Sequence, residues 1–116
     1  MVGCSPDPAR DSHRIAALLQ ARGHRIVPVT PAAERILGEP AQAKLGDVDG
    51  EVDVVDVFRR SEQAGRHVDE AIEIGARAVW LQLGVIDAEA AARAEVAGLD
   101  VVMNRCPAIE YRRLGL

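Results

Sequence analysis

The sequence predicts an α/β fold, a doubly wound parallel sheet of about five strands forming one domain over residues 1–116. Three observations predict it. The stretch V-D-V-V-D-V-F at 52–58 is a β-branched, apolar run with the composition of a strand covered on both faces. The stretches A-R-G-H-R-I-V-P-V, E-I-G-A-R-A-V-W-L and V-A-G-L-D-V-V-M each read as a helix end, a glycine and a buried strand. That repetition is the signature of successive βα units, whose right-handed crossovers give a parallel sheet. Finally, 48% of the residues are hydrophobic while Phe, Tyr and Trp occur once each, a mix suited to helices packed closely on a sheet and opposed to disorder.

The elements follow in order. Met1–Val2 is the end of a first strand, and Gly3-Cys4-Ser5-Pro6-Asp7-Pro8 is a loop dense in turn formers. Asp11 or Ser12 caps a first helix whose apolar residues Ile15, Leu18 and Leu19 stand three and four apart, and Gly23 ends it. Ile26, Val27 and Val29 make a second strand, closed by Pro31. Residues 32–51 are the least regular: Ala32–Leu37 reads as a helical turn ending at Gly38, and Glu39–Asp49 as loop or irregular strand. The third strand, 52–58, is followed by a helix from Ser61 to about Ile74. Ala78–Leu83 is the fourth strand, with Gly84 at its tip. Asp87 caps an Ala- and Glu-rich helix that Gly98 terminates, Val101–Met103 is the fifth strand, and Pro107–Leu114 a last short helix. The order expected for five such strands is 3-2-1-4-5.

One feature conflicts with that order. A central strand runs to about five or six residues, yet only Met1 and Val2 precede Gly3. A truncated central strand leaves neighbouring backbone groups unpaired, at on the order of 1–3 kcal/mol for each one buried. The expectation is that more residues complete that strand, from the natural protein or from another part of an assembly.

Composition bounds the function. A net charge of −4, with no basic stripe and no exposed aromatic series, argues against nucleic acid as a partner. No apolar run approaches the ~18 residues of a membrane helix, and no charged-then-apolar leader is present. Cys4 and Cys106 lie far apart without C-x-x-C spacing, as expected of reduced thiols in a cytoplasmic protein. No catalytic triad, paired carboxylates or metal-ligand spacing stands out, so neither catalytic residues nor a metal are expected.

Candidate binding residues collect where a parallel sheet presents them, at the carboxyl ends of its strands. Gly3 permits close approach of a ligand, Ser5 offers a hydroxyl, and the amides around Ser12–Arg14 lie at a helix start. Pro28-Val29-Thr30-Pro31 ends the second strand with no acidic residue to hold a ribose hydroxyl, which counts against NAD; two prolines there offer a rigid apolar shelf for an adenine. Arg59 and Arg60 precede a helix whose dipole they oppose by roughly 0.3–1 kcal/mol each, a conflict that a bound phosphate relieves. Gln82-Leu83-Gly84 lines the same edge. Trp80 reads as core, and Cys106 beside Arg105 as a small buried thiol.

Taken together, V-G-C-S-P-D-P, S-H-R-I-A, P-V-T-P, V-F-R-R-S-E, W-L-Q-L-G-V and V-V-M-N-R-C closely resemble the small stand-alone bacterial CoA-binding proteins. These are similar to the N-terminal CoA-binding domain of the succinyl-CoA synthetase alpha subunit. The resemblance implies a Rossmann-like fold and coenzyme A or an acyl-CoA as ligand. It places Gly3, Cys4, Ser5, Ser12 and His13 toward the pyrophosphate, and Pro28, Val29, Thr30, Pro31, Phe58, Arg59 and Arg60 around the adenosine and its 3′-phosphate. Leu83 and Gly84 would border the pantetheine path. A guanidinium suits that phosphate because it grips with two parallel hydrogen bonds. Thr30 stands where the family usually has Asn, and Asn104 where Asp is common. Binding is implied rather than catalysis, with a homo-oligomer or a partner enzyme as further company. A thiol-dependent redox or acyl-transfer enzyme using Cys4 or Cys106, and an interaction domain that has lost its ligand, are the alternatives.

Overall fold

The computed structural model describes residues 1–115. Its elements are α1 (Asp11–Ala21), β1 (Arg35–Ile36), β2 (Glu39–Pro40), a 3-10 turn (Leu45–Asp47), β3 (Val54–Val57), α2 (Ser61–Glu73), β4 (Ala78–Leu81), α3 (Ala88–Val96), β5 (Asp100–Met103) and α4 (Pro107–Arg113).

β3, β4 and β5 form a parallel sheet in that order, in the register Val57–Leu81–Met103. Val2 extends it through parallel bridges to Val57 on one side and to Val29 on the other. The segments therefore run Val29, Val2, β3, β4, β5 across the sheet. In the numbering used for the sequence this is 2-1-3-4-5, not 3-2-1-4-5. The third strand takes an inner place because Val55 and Val57, 1% and 0% exposed, need cover that an edge does not give. The first strand is short, as expected: Val2 N–H donates to Asp56 O (2.8 Å) and Phe58 N–H to Val2 O (2.9 Å), while Gly3 N–H donates to Val29 O (3.0 Å) and Val29 N–H to Met1 O (3.0 Å).

Two layers of helix flank the sheet. α2 and α3 pack against each other and on β3, β4 and β5. Their closed core gathers Val2, Val55, Val57, Val68, Val79 and Leu81, with small residues Ala64, Ala71, Ala90 and Ala94 allowing close approach. Gly65 contributes to that approach, since a Cβ there would stand 2.9 Å from an Asp87 carboxylate oxygen. α1 and α4 meet at the opposite face. The buried cluster there is smaller: Met1, Cys4, Ile15, Ala16, Ile26 and Ile36, with Phe58, Cys106 and Ala108 against it.

Two local expectations need correction. Arg35–Ile36 pairs antiparallel with Glu39–Pro40 as a hairpin, not a helical turn, and its two-residue connection places Leu37 (φ 53°) and Gly38 (φ 79°) in the left-handed region. The first helix has Arg10 at its N-cap without a capping side chain. Ser12, expected as a cap, instead accepts a hydrogen bond from the Ser5 N–H across the loop, at 2.9 Å. At α3 the expected cap is present: Asp87 accepts from Ala90 N–H at 3.0 Å.

Candidate functional site

The carboxyl ends of the strands form one continuous rim. Gly3, which follows Val2, has φ +80° and sits so near β3 that a Cβ would overlap the Phe58 carbonyl oxygen and stand 3.5 Å from Arg59 Cδ. Only glycine meets both conditions, so its presence lets the first loop lie against the β3 end. Gly3 N–H also reaches Val29 O, which brings the Val29–Pro31 segment to the same rim. Further along, the Ser61 hydroxyl donates to Gly84 O (3.3 Å) and accepts from Ile86 N–H (2.9 Å), and Gly84 N–H donates to Asn104 Oδ1 (2.8 Å). The loops after all five strand segments are thus stitched edge to edge.

Within the first loop, the Ser5 carbonyl meets His13 Nδ1 at 2.9 Å and the Ser5 hydroxyl accepts from Asp7 N–H at 3.1 Å. Ser12 is buried and His13 half-buried, so both hold the loop in shape. Cys4 is 1% exposed; burial pushes its thiol up from the ordinary value, with the Met1 ammonium opposing. A protonated, covered sulfur is a poor nucleophile. Cys106 is half-buried and, like Cys4, unpaired.

The second-strand end differs from the shelf expected of it. Pro28 is fully buried and Val29 6% exposed, so their side chains belong to the interior. Thr30 is 7% exposed and its hydroxyl accepts from Ala32 N–H at 3.1 Å, while its own N–H pairs with Gln42 O. The apolar shelf narrows to the exposed ring of Pro31.

At the third-strand end, Phe58 packs against the smaller buried cluster and Arg60 is exposed at the N-cap of α2. Arg59 is half-buried, and its Nε is enclosed without a hydrogen-bond partner among the described residues. A buried guanidinium nitrogen left unpaired is costly, and an anion at the rim fits that demand. Leu83 and Ile86, 60% and 51% exposed, flank Gly84 as an apolar wall.

Behind the rim lies a polar pair that the sequence reading missed. Asp56, inside β3, accepts a hydrogen bond from Gln82 Nε2. Burial pushes its carboxyl up to about 6, with the Gln82 bond and the Met1 ammonium opposing. The alternation of residues 52–58 marks Asp56 as facing away from Val55 and Val57, a signal that was legible. His67, buried on α2 with Nδ1 2.7 Å from Glu70 Oε1, has its pKa lowered, burial outweighing that carboxylate.

A cavity of about 710 Å³ lies elsewhere, beside the N-terminal half of β3 under α1 and α4. Of the residues expected at the binding edge it includes only Val29. Trp80, expected as core, is half-buried in its wall and donates its indole N–H to Arg105 O at 2.8 Å. Among the described residues there is no cluster of metal-ligating side chains, and no helix is long and apolar enough to cross a membrane.

Comparison with known proteins gives a consistent outcome. The protein YneT of Bacillus subtilis is 38% identical over 106 residues, covering 91% of this chain and 78% of YneT. A solved protein of Pyrococcus horikoshii superposes with a TM-score of 0.93 at 36% identity, over 99% of this chain and 81% of its own. The dinucleotide-forming acetyl-coenzyme A synthetase of Ca. Korarchaeum cryptofilum shares the fold, with a TM-score of 0.77 at 23% identity over 89% of this chain and 25% of the synthetase. The family model described as a CoA binding domain matches residues 1–112, and the chain belongs to that family.

Proposed function

We propose that the chain binds coenzyme A or an acyl-CoA along the carboxyl-end rim and performs no reaction on it. The observation that carries this reading is the contact of the Gly3 turn with Phe58 and Arg59, which sets a glycine loop and a guanidinium side by side. The first turn of α1 offers backbone N–H groups to a pyrophosphate, and the loop Gly3–Ser5, whose own N–H groups bond Val29 O, Met1 O and Ser12 Oγ, supplies the close approach. Arg59, with its unpartnered Nε, and the exposed Arg60 meet the 3′-phosphate. Pro31 and Phe58 border the adenine. Leu83, Gly84 and Ile86 line the way for pantetheine, an apolar chain that suits an apolar wall. The Cys4 thiol, covered and protonated, takes no part.

Calorimetric titration with CoA, dephospho-CoA and NAD tests the reading. CoA is expected to bind more tightly than dephospho-CoA, and NAD weakly or not at all. Arg59→Ala is expected to weaken CoA by about tenfold or more while changing dephospho-CoA little, since a charge-assisted hydrogen bond contributes ~1.5–3 kcal/mol. Equal affinity for CoA and dephospho-CoA in the unsubstituted chain removes the role given to Arg59 and Arg60.

A further inference from the structure

The two edges of the parallel sheet are finished differently. Beyond Val29 the chain adds Gln42, whose N–H donates to Pro28 O at 2.9 Å and whose carbonyl accepts from Thr30 N–H at 2.7 Å. Pro40 and Lys44 flank it, residues that discourage any further strand. At the other edge β5 has β4 on one side and, among the described residues, no strand on the other. Asp100 N–H donates to Arg77 O at 3.0 Å, toward β4. Successive residues of a strand turn their N–H and C=O groups to opposite sides, so those of Val101 and Met103 face outward. The stretch Val101–Met103 holds no proline, glycine or charge, and its residues are only half-buried. An apolar strand is thereby left with main-chain donors and acceptors on offer.

The charges around this edge complement themselves. Val101 and Met103 pack on the α2–α3 core, so Asp100 and Val102 point to the face that carries α4. Asp100 is exposed at the head of the strand. The flank of α3 turned away from α2, opposite Arg93 with its Asp69 partner, carries Ala88, Ala91 and Glu95. Neither Asp100 nor Glu95 has an ion-pair partner among the described residues. At the tail, where α4 begins, the Glu110 carboxylate is shared by Arg105 (3.3 Å) and Arg113 (2.7 Å), leaving positive charge in excess. An antiparallel neighbour of the same sequence sets acidic head against basic tail at both ends. A parallel one sets like against like.

We propose that β5 pairs antiparallel with β5 of a second copy of this chain, about a two-fold axis through Val102. Val101 then exchanges N–H and C=O bonds with Met103 of the second copy, and Met103 does so with Val101 of the second copy. The two Val102 side chains meet at the axis on the α4 face, as a directly opposed cross-strand pair. Asp100 of each copy comes within reach of Arg105 and Arg113 of the other. The sheets join into one, and the two carboxyl-end rims stay open at its opposite ends. The pairing rests on the strand edge and not on the ligand at the rim.

Sedimentation of the intact chain, together with oxidative cross-linking, tests the pairing. The chain is expected to sediment at twice its 12.4 kDa mass at about 0.1 mM protein. Val102→Cys sets two sulfurs at the axis, where directly opposed Cα atoms about 4.5 Å apart allow a disulfide. With diamide as oxidant it is expected to cross-link about tenfold faster than Val96→Cys or better, although Val96 is 90% exposed. Val102→Lys brings two ammonium groups together and is expected to give a monomer with unchanged circular dichroism. Asp100→Lys, at an exposed position, is expected to weaken association about threefold or more. Should Val102→Lys fail to fold, Asp100→Lys and the cross-linking rates decide. Equal cross-linking of the two cysteine variants, or a dimer indifferent to the lysine substitutions, would overturn the assignment. So would a monomer at that concentration, which would leave the edge to a strand from a different protein.

Discussion

The two ends of β3 differ more than its sequence does. At the carboxyl end Val57 is 0% exposed, flanked by Val2 on one side and β4 on the other, and the loops beyond it are tied by the Gly3, Ser61 and Asn104 bonds. At the amino end the equally apolar Val54 is 49% exposed beside a cavity of about 710 Å³. Residue chemistry is the same at both positions; neighbours decide the outcome. An apolar side chain gains from burial only where another element completes the layer, at about 25 cal/mol per Å² removed from water. The carboxyl-end rim is the finished end, where Val2 and Val57 are covered and polar bonds join the loops.

The largest expected effect comes from disturbing the finished end. Gly3→Ala introduces a Cβ into the Phe58 carbonyl at φ +80° and is expected to lower stability by about 3 kcal/mol, read by urea unfolding. A loss below about 1 kcal/mol would mean that the rim is not packed as tightly as described.

Next is Asp56, between the two ends. Its folded pKa, about 6, stands above the ordinary carboxyl value, so the protonated form favours the folded chain. That contribution is fully present below about pH 4 and is lost as pH rises through about 6, on the order of 2–3 kcal/mol in total. Asp56→Asn keeps an oxygen for the Gln82 bond and is expected to flatten this fall, measured as unfolding free energy from pH 4 to pH 7. An unchanged slope in the variant would assign the pH dependence to other groups.

Ser61→Ala removes the hydroxyl that joins Gly84 O to Ile86 N–H and is expected to destabilise by about 1 kcal/mol. Exchange at the Ile86 amide should rise with it; an unaltered rate there would break the claim that loops hold this end. The smallest effect is at the open end, where Val54→Ser should shift stability by less than about 0.5 kcal/mol. A large loss would show that Val54 already has cover.

Much of this was legible in the residues. The spacing of Val68, Ala71 and Ile72 after Ser61 gave α2 its length, Asp87 announced the start of α3, and the V-F-R-R-S-E and W-L-Q-L-G-V stretches led to the family. The order of strands was not, because local patterns say that a strand is buried and not which strands bury it. The hairpin at Leu37–Gly38 was hidden by a leucine in the left-handed region, which side chains with a Cβ seldom adopt. Pro28 was read as a surface shelf because prolines punctuate loops. Here the one before Val29 is enclosed, its missing N–H no loss, while its carbonyl accepts from Gln42 N–H at 2.9 Å. Ser12 was legible as a polar group at a helix start, but its partner, the Ser5 amide, depended on a loop shape that only the fold fixes.

Val2 has a consequence for how the chain is made. It bridges the segment at Val29 on one side and β3, with the block of β4, β5, α2 and α3, on the other. That block is contiguous from residue 54 to 103 and closes through near-neighbour contacts. The Met1–Gly3 segment leaves the ribosome before either of its partners, so during synthesis it must wait, solvated, until Phe58 has emerged. Nucleation then belongs to the later half of the polypeptide, and the rim that carries Gly3 is among the last parts to set.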